Sequence, residues 1–227
     1  MSIVHYETIV EDLYMGVHSD TTCSILAKFS KKNYIDTFLQ GELYCNSLSY
    51  FRQAKDNFGR ADKCEGRVSY RKNGGGKVSI NLPGNKYFLC CFFNMPPQSI
   101  NDGRAFYKTT DRERDKFSYF GDSCVVVLQP DELVKRISTE CQKIGISCEW
   151  SPVEYVKKSC KDKTVSIHLN DNPDHAVFVK RKKFMVQSEF RFVFSNIPDK
   201  LITHEGAFVL NIGDIHDIAK ATYDCFA

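Results

Sequence analysis

The sequence has 227 residues, of which 42% are hydrophobic and 26% charged, and its formal net charge is +3. This composition is typical of a packed fold along nearly the whole length, and the length suits one domain spanning 1–227. The charge is too small to indicate a nucleic-acid binder by itself. No apolar stretch approaches the ~20 residues of a membrane span, and the N-terminus lacks the basic and apolar regions of a signal peptide.

The chain contains ten cysteines but no CxxC pair. We expect most of them to be small buried side chains in a reducing compartment, which predicts a cytoplasmic protein without a membrane partner. The histidines show none of the spacings typical of zinc sites. No metal site is therefore predicted from His5, His18, His168, His175, His204 or His216.

The first half of the chain combines short strands with helices. The predicted elements are an N-terminal arm or short helix over 1–21, a strand over 23–29, a helix over 34–39 that ends at Gly41, a strand over 42–46, a turn entering a helix over 47–52, a hairpin pairing 68–70 with 78–80, and a central strand over 87–93. A charged loop that includes Asp62 and Glu65 suits a solvated surface better than a lid or a second ligand site. The polar segment 96–119 is predicted to be a long loop.

Strands outnumber helices in the second half. We predict strands over 124–128, 148–156, 165–169, 176–179, 184–186, 190–194 and 207–212, a helix that begins at Pro130 and buries Leu133, Ile137, Cys141 and Ile144, and a terminal helix over 215–223. This order predicts an α+β fold with a mainly antiparallel, split β-sheet and a few peripheral helices.

The most informative segment runs from Lys183 to Phe194. Phe190, Phe192 and Phe194 alternate, so Glu189 and Arg191 share the opposite face of a strand, and Gln187 joins them if the strand extends back. One interpretation is a pair of ladder partners on an exposed sheet. The other is a cleft in which Glu189 accepts hydrogen bonds while Arg191 holds it or a phosphate.

Gln187-Ser188-Glu189 resembles the (Gln/Glu)-x-Glu motif of ADP-ribosyltransferases, which also lies at the start of a late strand. The resemblance implies an ADP-ribosyltransferase-like fold and NAD as substrate. It implies that Glu189 stabilises the oxocarbenium-like cation as nicotinamide leaves, and that Gln187 positions the acceptor. The physics is that of glycoside cleavage, where a fixed carboxylate faces developing positive charge.

The first half resembles the family in order, from Lys28 to Arg52. Lys28 stands where the family usually carries Arg or His. By this resemblance, aromatic rings contact nicotinamide and cationic groups neutralise the diphosphate. The implied NAD-binding residues are Lys28, Phe29, Tyr44, Asn46, Ser47, Tyr50, Arg52 and Arg191.

The segments 27–52 and 180–194 together are similar to small bacterial proteins of phage-defence islands, among them ADP-ribosyltransferase toxins that modify RNA. This similarity implies an RNA acceptor, with a protein acceptor as the alternative, and an antitoxin partner. The basic run Lys180, Arg181, Lys182 and Lys183 could then contact an RNA backbone, although such a run also suits a solvated loop. A different class of function stays open, namely a non-enzymatic nucleotide- or nucleic-acid-binding module of a defence or anti-defence system.

Overall fold

The computed structural model describes residues 15–18, 25–55, 61–71, 75–95, 99–101, 104–107, 117–157 and 163–225. Over these residues the protein is α+β, with a mainly antiparallel sheet and few helices, as the sequence predicts. None of the helices in these ranges has the length and apolarity that a membrane crossing needs.

Fifteen strands are defined within the described ranges. They are β1 (Met15–His18), β2 (Ile25–Ser30), β3 (Glu42–Ser47), β4 (Arg67–Arg71), β5 (Lys77–Asn81), β6 (Phe88–Met95), β7 (Ser99–Asn101), β8 (Arg104–Tyr107), β9 (Ser123–Val127), β10 (Ser147–Pro152), β11 (Glu154–Val156), β12 (Val179–Arg181), β13 (Glu189–Ser195), β14 (Ala207–Asn211) and β15 (Ala219–Thr222). The helices are α1 (Lys32–Leu39), α2 (Leu48–Gln53), α3 (Pro130–Ile144) and α4 (Lys163–Asp171), with 3-10 helices over Pro173–Phe178, Lys182–Gln187 and Asp199–Leu201.

The chain divides into two compact units. The first comprises residues 1–42, 92–136 and 212–227. Its strands follow the order β6-β2-β9-β15, all antiparallel neighbours, and β1, β8 and β7 form a separate three-stranded sheet. The core is rich in aromatic rings, with Phe29 stacked on Phe117 at 4.5 Å between centroids.

The second unit comprises residues 43–91 and 137–211. Its strands follow the order β10-β13-β6, with β3 between β6 and β14. The predicted hairpin of β4 and β5 is present, and in its register Val68 faces Ile80 and Tyr70 faces Val78. Strands β11 and β12 form a short parallel pair that aligns Tyr155 with Lys180. This unit contains the residues of the candidate site.

The predicted glycine stop after α1 is confirmed, and the structure adds a side-chain cap at the start of α2. Gly41 has a φ of +96° just after α1, which is the left-handed conformation expected of a C-terminal glycine. The Ser47 hydroxyl accepts a hydrogen bond from the Tyr50 amide at 3.3 Å, so it caps the N-terminus of α2.

Several predicted strands in the second half are wrong. Residues 165–169 lie in α4: Val165 and Leu169 are buried but Ile167 is exposed, although all three would share one face of a strand. A 3-10 helix begins at Pro173 and takes up most of 176–179. Another contains 184–186 and ends at Gln187, and the next residue, Ser188, has a left-handed φ of +39°. Short apolar runs do not distinguish strands from helical turns by periodicity.

Further differences concern segments predicted as helix or loop. Residues 215–223 include β15, which pairs with β9. Part of the expected arm forms β1, and the expected loop over 96–119 includes β7 and β8. On α3, Leu133, Ile137 and Cys141 are buried as predicted, whereas Ile144 in the last turn is exposed. These elements form because segments that are distant in sequence pair with one another. Local sequence patterns do not reveal such pairing.

We predict that Gly41→Ala destabilises the protein much more than Gly213→Ala. Both glycines have positive φ, so each substitution costs about 1–2 kcal/mol in backbone strain. A Cβ at Gly41 would also lie 2.0 Å from the Gly213 carbonyl oxygen, whereas nothing lies within 4 Å of one at Gly213. Urea denaturation measures both, and equal losses would contradict the close backbone approach.

Candidate functional site

Arg191 lies at the centre of a set of buried charges in the second unit. It is on β13 and is only 1% exposed. Its Nε donates to Glu189 Oε2 at 2.7 Å, and its Nη1 and Nη2 donate to the two carboxylate oxygens of Glu65 at 2.6 and 3.2 Å. Nη1 also donates to the carbonyl of Val177 at 2.5 Å. The guanidinium therefore joins two carboxylates that are 124 residues apart in the sequence.

Lys180 on β12 completes the set from the other side of Glu189. Its ammonium donates to Glu189 Oε1 at 2.5 Å and to Gln187 Oε1 at 2.7 Å, and it lies 3.9 Å from Glu65 Oε2. The same ammonium lies 4.7 Å from the centroid of the Phe184 ring. Glu65, Lys180, Gln187, Glu189 and Arg191 are called the Glu189 cluster below.

The local backbone explains how Gln187 and Glu189 come together. Gln187 is the last residue of a 3-10 helix, and the left-handed Ser188 reverses the chain before β13 begins at Glu189. The Tyr155 hydroxyl accepts a hydrogen bond from the Glu189 amide at 2.9 Å. The predicted proximity of Gln187 to Glu189 is therefore present, but a turn produces it and not an extended strand.

The Glu189 cluster contains two carboxylates and two cations, so its charges balance. Burial alone would raise the pKa of Glu189, but Arg191 and Lys180 outweigh burial and lower it to about 2. The pKa of Arg191 is raised, because the charges of Glu189 and Glu65 outweigh its own burial. Burial, followed by the charge of Glu189, raises the pKa of Tyr155. Glu189 is thus an anion at neutral pH in a site from which water is largely excluded.

This burial overturns two expectations. Glu189 is 7% exposed, so Glu189 and Arg191 are not ladder partners on an exposed sheet face. Asp62 and Glu65, which we expected in a solvated loop, are each 1% exposed. Asp62 accepts from Arg181 Nη2 at 2.6 Å, and Glu65 belongs to the cluster. Buried carboxylates require cationic partners, and here β12 and β13 supply them.

A pocket of about 510 Å³ opens beside the cluster. The hairpin of β4 and β5 forms one side, and β12 with the end of β11 forms the other. Lys180 lines the pocket and also contacts Glu189, so it connects the two features. Residues that line the pocket and carry polar or cationic side chains are Cys64, Arg67, Ser69, Ser79, Asn81, Lys157, Lys180 and Arg181.

The basic run is not a uniform cationic surface. Lys180 is buried and bound to Glu189, and Arg181 is half-buried and paired with Asp62, whereas Lys182 and Lys183 are exposed. The expectation that all four cations face a nucleic acid is therefore wrong for Lys180. The Nε of Arg181 is buried and has no hydrogen-bond partner in the part of the chain that the structure describes.

The expected NAD-binding residues of the first half fall into different environments. In the second unit, Tyr44 and Tyr50 are exposed, Asn46 is half-buried, and Ser47 is the helix cap. Arg52 donates to the backbone carbonyls of Glu65 and Leu82, both at 2.8 Å, so its guanidinium positions the segment that carries Glu65.

Lys28 and Phe29 belong to the first unit. The Lys28 ammonium lies 5.1 Å from the centroid of the Phe92 ring. Phe29 is a core residue, buried among Phe93 and Phe117. The ring of Phe29 therefore contributes to packing, which is a different role from the expected contact with NAD.

Sequence reasoning missed the partners of Glu189. Glu65, Lys180 and Tyr155 contact it or its neighbour Arg191 from distant segments. The available signal was the strand face shared by Glu189 and Arg191, since a buried carboxylate next to a buried guanidinium requires further charged partners. The sequence positions of Glu65, Lys180 and Tyr155 did not indicate that these residues are the partners.

Comparison with known proteins adds no family to this geometry: no protein-family model, no curated protein and no solved structure matches the chain.

We predict that the stability contributed by Glu189 is lost in acid. Its folded pKa of about 2 lies below its usual 4.5, so unfolding takes up a proton between these values. The contribution, about 3 kcal/mol, is complete above about pH 5 and falls as the pH drops towards 2. Glu189→Gln should therefore cost several kcal/mol at pH 6, and this cost should shrink by about 2 kcal/mol at pH 3.

Urea unfolding of wild type and variant at both pH values measures this change. Glu132→Gln is the control, because Glu132 also has a lowered pKa through Arg136 but lies at the surface. Its cost should vary with pH much less than that of Glu189→Gln, because solvent screens an ion pair at the surface. A cost of Glu189→Gln that is the same at pH 3 and pH 6 would show that the carboxylate is not held as the anion.

Proposed function

We propose that the protein is a mono-ADP-ribosyltransferase that transfers ADP-ribose from NAD to an RNA or protein acceptor. The observation that carries the proposal is the pair of Gln187 and Glu189, whose side-chain oxygens both accept from Lys180 at the start of β13. The α+β architecture with its antiparallel sheet is compatible with the fold of that family. By the same resemblance, the protein acts as a toxin of a phage-defence system and has an antitoxin partner.

The chemistry requires a fixed anion near the ribose. The bond between C1 of the ribose and the nicotinamide nitrogen breaks, and its electron pair leaves with nicotinamide, which becomes neutral. The ribose becomes an oxocarbenium-like cation, an acceptor nucleophile forms a new bond to C1, and the nucleophile loses its proton. A buried carboxylate that is ionised at neutral pH, such as Glu189, stabilises that cation before the nucleophile arrives.

Lys180 provides the route from the pocket to Glu189. Because Lys180 lines the pocket and bonds to Glu189 Oε1, a ribose hydroxyl that displaces the ammonium would reach that oxygen. Arg191 would keep Oε2 in place during the exchange. The same displacement would remove the Lys180 ammonium from Gln187 Oε1, so that the Gln187 side chain becomes available to orient the acceptor.

The pocket has the size and charge expected for the phosphates of NAD. Its volume, about 510 Å³, falls within the ~300–1,000 Å³ of typical ligand pockets. Arg67, Lys157 and Arg181 line it. A diphosphate would supply the acceptors that cationic side chains in a partly enclosed site require.

A second candidate is a non-enzymatic module that binds a nucleotide or nucleic acid in the same pocket. The observation that favours it is that both oxygens of Glu189 are already bonded to cations. In this case the Glu189 cluster holds the fold together and the pocket alone has the function.

We predict that Glu189→Asp reduces the release of nicotinamide from NAD at least ~100-fold, the scale seen when one electrostatic group of an active site is displaced. Glu65→Asp is the matched control. Each substitution keeps the charge and shortens a buried carboxylate of the same cluster, so both should lower stability similarly. Only the Glu189 variant should lose turnover per folded molecule.

The assay combines nicotinamide release with a thermal shift on adding NAD, in the presence of RNA and of protein acceptors. Equal losses of turnover in the two variants would show that Glu189 acts only through the fold. A thermal shift without turnover in the wild type would favour the binding module.

A further inference from the structure

We propose that Glu154, His168 and His175 form a zinc site, independent of the Glu189 cluster. All three residues belong to the second unit. Each offers one ligand atom, and these atoms lie within 4.8 Å of one another. The spacing of these residues does not indicate a metal site, since the two histidines are seven residues apart and the glutamate is 14 residues before the first.

The distances suit a metal ion. His175 Nε2 lies 2.7 Å and His168 Nδ1 lies 3.3 Å from the same oxygen, Glu154 Oε1. In a tetrahedral zinc site with bonds of about 2.0–2.1 Å, neighbouring ligand atoms are about 3.3 Å apart. Small rotations of the three side chains would therefore place an ion between them.

The backbone holds the two imidazoles in position. His168 lies in the last turn of α4, and the Asn172 amide donates to its carbonyl at 2.8 Å. The His175 amide donates to the Asn172 carbonyl at 3.1 Å, and the Asn172 side chain caps the 3-10 helix by accepting from the Asp174 amide at 3.0 Å. The imidazole centroids lie 5.2 Å apart at 73°, so the rings do not stack against each other.

The donor set identifies the class of ion. Two imidazoles and one carboxylate are ligands that zinc takes when it keeps a fourth position for water. The site is partly open, since the side chains of Glu154, His168 and His175 are 29%, 47% and 20% exposed. A bound ion would join β11 to α4 and the 3-10 helix that begins at Pro173.

This connection reaches the Glu189 cluster through one residue. Glu154 directly precedes Tyr155, whose hydroxyl accepts from the Glu189 amide at 2.9 Å. An ion that fixes Glu154 would therefore also restrain the strand that supports Glu189.

A second histidine–carboxylate pair gives the matched control. His216 Nδ1 lies 2.8 and 3.0 Å from the two oxygens of Asp214, and both residues are exposed. Among the described residues, no second imidazole joins this pair in a group that could hold a metal ion. It represents a histidine that bonds to a carboxylate without forming a metal site.

The test is calorimetric titration of metal-free, reduced full-length protein with Zn²⁺, together with the absorption spectrum of the Co²⁺ form. The variants are His175→Ala, Glu154→Gln and His168→Ala, with His216→Ala as control. We expect one Zn²⁺ per chain and an affinity at least ~100-fold weaker in each site variant, since even second-shell changes cost ~10–100-fold. The control should bind as the wild type does.

Three outcomes would overturn the proposal. They are the absence of stoichiometric binding, equal affinity in the wild type and His168→Ala, and a thiolate-to-cobalt charge-transfer band that survives in the site variants, which would assign the ion to cysteines. His168 is half-exposed, so its replacement tests the site even if His175→Ala fails to fold. Circular dichroism of each variant without metal checks folding.

Discussion

The buried charge of Arg191 determines how several segments of the second unit meet. A guanidinium that is shielded from water requires anionic partners. Arg191 obtains them from Glu189 on its own strand and from Glu65, which is distant in the sequence. Lys180 then balances the second negative charge. Strands β12 and β13 and the segment before β4 must therefore meet at one place, and Arg52 holds that segment through the carbonyl of Glu65. Removing one charged member therefore leaves a buried partner with less opposite charge around it.

The same arrangement connects stability with the proposed chemistry. The cations that keep Glu189 ionised are also the groups that occupy its oxygens. Both cations are buried, and of the two residues Lys180 lines the pocket and Arg191 does not. A substrate hydroxyl can thus exchange with one cation while the other keeps the carboxylate oriented. A transferase and a structural ion cluster would share this geometry and differ only in whether Lys180 moves away from Glu189. Measuring turnover therefore distinguishes the two proposals, whereas measuring binding does not.

Sequence patterns predicted the parts of this structure that depend on neighbours along the chain. The alternation of Phe190, Phe192 and Phe194 correctly placed Glu189 and Arg191 on one face, and Gly41 marked the end of α1. Patterns did not predict contacts made across the fold. Lys180 belongs to a run that looks solvated, and only its pairing with Glu189 turns it inward. The segment 165–169 is apolar at a spacing that either a strand or a helix accepts, and packing selected the helix that carries His168.

The most direct test of transfer is mass spectrometry of RNA, DNA and protein from cells that express the wild type or Glu189→Asp. We expect a mass increment of one ADP-ribose on a single class of polymer in wild-type cells. This increment should be absent from cells that contain the same amount of folded Glu189→Asp protein. An equal increment in both would contradict the role of Glu189, and no increment on any polymer in wild-type cells would contradict ADP-ribosyl transfer itself.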